Sequence, residues 1–92
     1  MNKYTFNLTC ICPNDKETIS YKAVIETQKM IMVEDINDYI YSLSDKEMFQ
    51  ESLTDKILAE FSVRNALPRV HVTTFGTHQG VKIKCEKGNP FK

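Results

Sequence analysis

The order of hydrophobic periods along the chain predicts an α+β protein in which two helices cover one face of a four-stranded, mostly antiparallel sheet. Three observations carry this. Apolar residues recur at every second position from Tyr4 to Cys12 and from Ile19 to Ile25, at helical spacing from Ile36 to Leu43 and from Leu53 to Phe61, and again at every second position in two short runs, Val70 to Val72 and Val81 to Cys85. The element order is therefore ββααββ, within one domain spanning 1–92.

In the first strand, Tyr4, Phe6, Leu8, Cys10 and Cys12 alternate with Thr5, Asn7, Thr9 and Ile11, which gives one buried face. Pro13 ends it, and Pro13-Asn14-Asp15-Lys16-Glu17 is turn chemistry. Alternation resumes at Thr18 through Ile19, Tyr21, Ala23 and Ile25, so the two strands form a hairpin whose second arm is expected to continue toward Met32. From Val33 the spacing of Ile36, Tyr39, Ile40 and Leu43 is helical, with Glu34 and Asp35 in the first turn, where acids complement the helix dipole. Ser44-Asp45-Lys46 breaks this helix. The second places Leu53, Ile57, Leu58 and Phe61 on one side, while Glu51 near its start is a carboxylate that the core face does not require. Ser52 and Asp55 resemble a capping box, so the regular helix starts near Ser52 with Gln50 and Glu51 at its entrance; the alternative start is Asp45. Leu67-Pro68 closes the helical part. Val70, Val72 and Thr74 then alternate with His71, Thr73 and Phe75, and Val81, Ile83 and Cys85 alternate with Lys82, Lys84 and Glu86 across a Gly76–Gly80 turn. Lys87-Gly88-Asn89-Pro90 reads as a tail.

The chain's 92 residues, 41% hydrophobic and 26% charged, fit an ordinary globular protein small enough for self-association to help its stability. No apolar run reaches the roughly 18 residues of a membrane span, and no signal-peptide pattern opens the sequence, so the expected compartment is the cytoplasm. Three cysteines without secretory marks imply reduced thiols. The net charge of zero divides into −5 over residues 1–61 and +5 over 62–92. The basic final hairpin suits nucleic acid, or simply carries solubilising lysines on an exposed face.

Several motifs, in order, resemble the tunnelling-fold family, whose subunits pair their sheets into barrels and bind purine or pterin rings between subunits. The resemblance is to the branch containing the nitrile reductase of queuosine biosynthesis and the shorter archaeosine amidinotransferase. Cys12-Pro13 ends the first strand as that branch's Cys-Pro does. Val33-Glu34 opens the first helix like its Val-Glu, and Phe49-Gln50-Glu51 opens the second much as an apolar residue followed by His-Glu does there. Pro68 to Thr73 and Gly80 to Ile83 are similar to the last hairpin. The resemblance implies a homo-oligomeric barrel in which Cys12 attacks the nitrile of 7-cyano-7-deazaguanine to give a thioimide. Glu51 then anchors the guanine-like edge, with Gln50 and Glu34 as further substrate-binding residues. Read by themselves, Cys12 is a small packed hydrophobe and Glu51 a solvent-facing acid stabilised by the helix dipole.

The departures are specific. The stretch after Cys-Pro that carries the relatives' general acid is short here, leaving Asp15 or Glu17 to approximate it. Gln50 stands where a histidine is usual. Asp35-Ile36-Asn37-Asp38-Tyr39 offers no cation for a dinucleotide phosphate, so no cofactor is expected and NADPH-dependent nitrile reduction is the lesser alternative. The resemblance thus implies amidine formation, on a free base or on one in tRNA. Gln50-Glu51-Ser52-Leu53-Thr54 also resembles the guanine anchor of the GTP cyclohydrolase branch, but the zinc-binding Cys-Glu-His-His and His-x-Cys do not occur, so no metal is expected, and His71 and His78 read as ordinary strand and loop residues. A non-catalytic module binding a purine, a pterin or another protein is the alternative from a different class.

Overall fold

The computed structural model describes residues 1–64, 67 and 69–89, Arg64 by its backbone alone. Strands β1 (Asn2–Ile11) and β2 (Thr18–Thr27) are followed by helices α1 (Val33–Leu43) and α2 (Gln50–Ala59), a π-helical turn (Glu60–Arg64), and strands β3 (Val70–His78) and β4 (Val81–Gly88). All neighbours are antiparallel in the spatial order β1-β2-β3-β4. The α+β arrangement expected from the periods is the one observed.

Alternation decides the two faces. Leu8, Cys10, Ile19, Tyr21, Ala23, Ile25, Val70 and Val72 are buried beneath Ile36, Leu43, Leu53, Ile57 and Phe61 of the helical layer. Tyr39 meets Phe61 edge to face at 5.6 Å, joining α1 to the turn after α2. Thr54 and Thr74 are both fully buried, and each satisfies the other through a 2.7 Å hydroxyl hydrogen bond between α2 and β3. No helix of the described residues is long and apolar enough to cross a membrane.

Four boundaries differ from the sequence expectation, each for a tertiary reason. β2 stops at Thr27 rather than Met32, because both of its neighbours run out there: Thr27 pairs with Asn2 on one side and Val70 on the other. α2 begins at Gln50, between the two expected starts, with Phe49 as an extended N-cap making no side-chain cap. The Asp45–Met48 backbone cannot be helical because β1 takes its hydrogen bonds. Asp45 donates to Thr9, Lys46 accepts from Ile11 and Met48 donates to Ile11, at 2.8, 2.9 and 3.0 Å. Gly76 lies inside β3 rather than in the turn, which shrinks to Gln79-Gly80. Both have positive φ, 51° and 81°, as a two-residue hairpin turn requires. Lys87 and Gly88 continue β4 instead of forming a tail. The expected stop at Pro68 and the end of the tail at Pro90 lie outside the described residues.

Candidate active site

Meander topology decides what can meet. With the strands antiparallel in sequence order, the β1–β2 turn and the β3–β4 turn sit at the same end of the sheet, together with the start of α2. The α1–α2 connection is stitched to the last residues of β1, including a parallel bridge from Glu47 to Ile11, and this brings Met48, Phe49 and Gln50 to that end.

Cys12, one step past β1, keeps the phase of Cys10 and so faces the helices; it is 5% exposed. Its backbone closes the turn from both sides, the N–H donating to Glu17 at 2.8 Å and the carbonyl accepting from Lys16 at 2.9 Å. Lys16 takes a positive φ of 64° to complete this loop. Asp15 is thereby folded back. Its Oδ1 accepts the Glu17 N–H at 3.0 Å, while Oδ2 accepts from His78 Nε2 at 2.6 Å and from Gln79 Nε2 at 2.9 Å. The Glu17 N–H chiefly, then His78, Gln79 and the Cys12 thiol, hold the Asp15 carboxyl down to about 2 against a smaller opposing cost of burial. Glu17 stands farther off, with a carboxylate oxygen 3.4 Å from His78 Nε2 and a side chain 59% exposed.

Donor atoms of Cys12, Asp15 and His78 all lie within 4.8 Å of one another. A divalent ion could bridge three such atoms, but Asp15 and His78 are joined here by a hydrogen bond, and spacing alone does not make the three into ligands. Beside them is a hollow of about 90 Å³ lined by Cys12, Tyr21, Phe49, Gln50, His78 and Ile83 among others. Burial, with Cys10 and Cys12 nearby, raises the Tyr21 phenol above its usual range, so it stays protonated.

Gln50 reaches this hollow, but its amide is committed: Nε2 donates to the Thr74 carbonyl and hydroxyl and to the Ile83 carbonyl, each at 3.1 Å. Glu51 turns away. Its side chain is 74% exposed and pairs at 3.3 Å with Lys87, whose ammonium is held above its usual range chiefly by that hydrogen bond. Glu34, exposed in the first turn of α1, follows the end of β2 and so lies at the opposite end of the sheet from Cys12. One chain therefore brings together Cys12, Asp15 and Gln50, with Glu17 at the margin, and leaves Glu51 outside the hollow and Glu34 remote.

Cys10 is fully buried, and burial followed by the Asp45 charge pushes its thiol up to about 11; Cys85 is half-buried on β4. His71 sits on the helix-free face between Glu26 at 3.3 Å and Glu86 at 3.4 Å. His78 and Gln79 are what sequence reasoning passed over. Treating Gly76 as a strand residue would have placed His78 at the end of β3, level with the Cys-Pro turn.

No family model matches the chain, and no curated protein matches it by sequence. In structure it is similar to the crystal structure of the archaeosine synthase QueF-Like in the apo form, with a TM-score of 0.86 over 95% of this chain and 90% of that one, at 18% identity. The subunit fold that the motif order implied is thus observed: the chain has the fold of that archaeosine synthase.

Proposed function

We propose that this chain is a QueF-like enzyme of 7-deazaguanine metabolism that converts the nitrile of 7-cyano-7-deazaguanine to an amidine through a Cys12 thioimide. The observation that carries the reading is the Cys12 thiol at the closed end of β1, with donor atoms of Asp15 and His78 within 4.8 Å of it and a hollow beside the α2 entrance lined by it. In the addition step the Cys12 sulfur bonds to the nitrile carbon, and one C≡N electron pair moves to nitrogen, which takes up the thiol's proton. Ammonia then adds to the same carbon, passes one proton to the departing sulfur and leaves the amidine; nitrile plus ammonia gives amidine with the thiol regenerated. Asp15 has a different part from a general acid. With its carboxyl held near 2 it is ionised at neutral pH, so it accepts the hydrogen bonds of His78 and Gln79 and orients what lies around it.

The hollow of about 90 Å³ falls well below the roughly 300 Å³ at which small-molecule pockets begin, so the base is bound between copies of the chain. Glu51 faces solvent at the rim, held only by an exposed ion pair, and is free to anchor the guanine-like edge in such an interface. Glu34 then joins the site from another copy. Lys22, Lys82 and Lys84 surround Phe75 on the helix-free face, where Lys22 lies 5.5 Å from the ring, and give the basic hairpin its surface for a nucleic-acid substrate.

Incubation with 7-cyano-7-deazaguanine should produce a covalent adduct on intact-mass spectrometry, abolished by Cys12→Ala and reduced in yield by Glu51→Ala. Absence of any adduct on the native chain, with or without RNA, would remove the enzymatic reading in favour of the binding module.

A further inference from the structure

A thiol needs a partner that both takes and returns a proton, and the residues lining the hollow offer few. Of its titratable side chains, Tyr21 is held protonated by burial, and Gln50 at the α2 entrance has no titratable group. What remains is the imidazole of His78. We infer that His78, delivered from β3 across the sheet end, is the proton relay of Cys12, with Asp15 as the residue that positions its ring.

The geometry fixes the roles. An ionised carboxylate only accepts hydrogen bonds, so His78 Nε2 donates to Asp15 across their 2.6 Å contact. The other ring nitrogen is then the acceptor. Gln79, next in the two-residue turn, donates to the same Asp15 oxygen and locks the hairpin tip onto the Cys-Pro loop. This is an acid–imidazole–nucleophile set assembled from two loops, and its donor atoms are all within 4.8 Å. The thiol proton passes to the free ring nitrogen across one water. After the sulfur–carbon bond forms, the imidazolium returns that proton to the nitrile nitrogen, so His78 ends the step as it began. Groups facing the ring are Cys12, Asp15 and Glu17 from the β1–β2 side; the α2 entrance presents Met48, Phe49 and Gln50, none of them titratable.

This role rests on the nucleophilic reading of Cys12, but its test uses no nitrile and so fails separately. The rate of iodoacetamide alkylation at Cys12, followed by peptide mass spectrometry against pH, should show a component already present near neutrality. His78→Gln should lower that rate roughly tenfold or more at pH 7 and leave an ordinary thiol profile rising through about pH 8.5, and imidazole added to His78→Ala should restore part of it. A profile unchanged by His78→Gln overturns the relay. So does a native chain whose Cys12 follows the ordinary thiol profile, a result that requires no variant to fold. Stoichiometric zinc that protects Cys12 in the purified protein until chelated would also overturn it, since a coordinated imidazole cannot shuttle protons.

Discussion

At the scale of single residues, three cysteines of one type have three environments, and the packing rather than the sequence separates them. Cys10 lies beneath Leu43, its sulfur 3.9 Å from that residue's carbonyl, where burial disfavours the thiolate; Cys12 lies two residues on, at the hollow. Alkylation at pH 8 should therefore spare Cys10 in the folded protein, which peptide mapping will report. Asp15 makes a stability prediction with a definite sign. Its carboxyl is near 2 in the fold and about 3.8 when unperturbed, so its contribution is fully present above about pH 4 and is lost as pH falls through 2. Urea midpoints measured at pH 5, 3 and 2 should fall more steeply for the native chain than for Asp15→Asn. Parallel curves would show that Asp15 is not held as described.

At the scale of elements, the strands follow from alternation, and the helices from the spacing of Ile36, Tyr39, Leu43, Leu53 and Ile57. The ends do not, because an end is settled by whichever neighbour claims the backbone groups. Asp45–Met48 has a helix-compatible sequence but pairs with β1, and this pairing carries Phe49 and Gln50 to Cys12. Gly76 is the clearest case. A Cβ there would lie 2.5 Å from the Tyr21 ring, so glycine is required by close approach within a strand and not by a turn. Gly76→Ala should destabilise by about 1–3 kcal/mol in urea unfolding, the usual range for overpacking, and slow any chemistry at Cys12 by pushing Tyr21 into the hollow. A neutral effect would mean that the ring moves aside freely.

At the scale of the whole molecule, a sheet open at both edges and a site only partly enclosed point the same way. β1 and β4 are the edge strands, and Val81, Phe49 and Ile83, exposed by 60, 55 and 42%, cluster at the end that carries the hollow. A chain this small gains from covering them. Light scattering should therefore give a mass of more than one chain, and Val81→Glu should lower it; a monomer at micromolar concentration would leave Glu34 unable to reach the site.

The sequence determined the layers. Side-chain periods of two and near 3.6 are local properties, so the ββααββ order, the buried face of each strand and the position of Cys12 at a strand's end were all legible in it, and the motif order indicated the fold. The tertiary structure alone decided which side chains meet: that Asp15 rather than Glu17 lies within 4.8 Å of the Cys12 sulfur, that Gln50 is tied to backbone carbonyls, and that His78 stands beside Asp15. Those contacts join residues as many as 63 positions apart, and no local period encodes them. They arise because antiparallel pairing returns alternate turns to one end of the sheet, where the side chains of two loops compete for a single carboxylate.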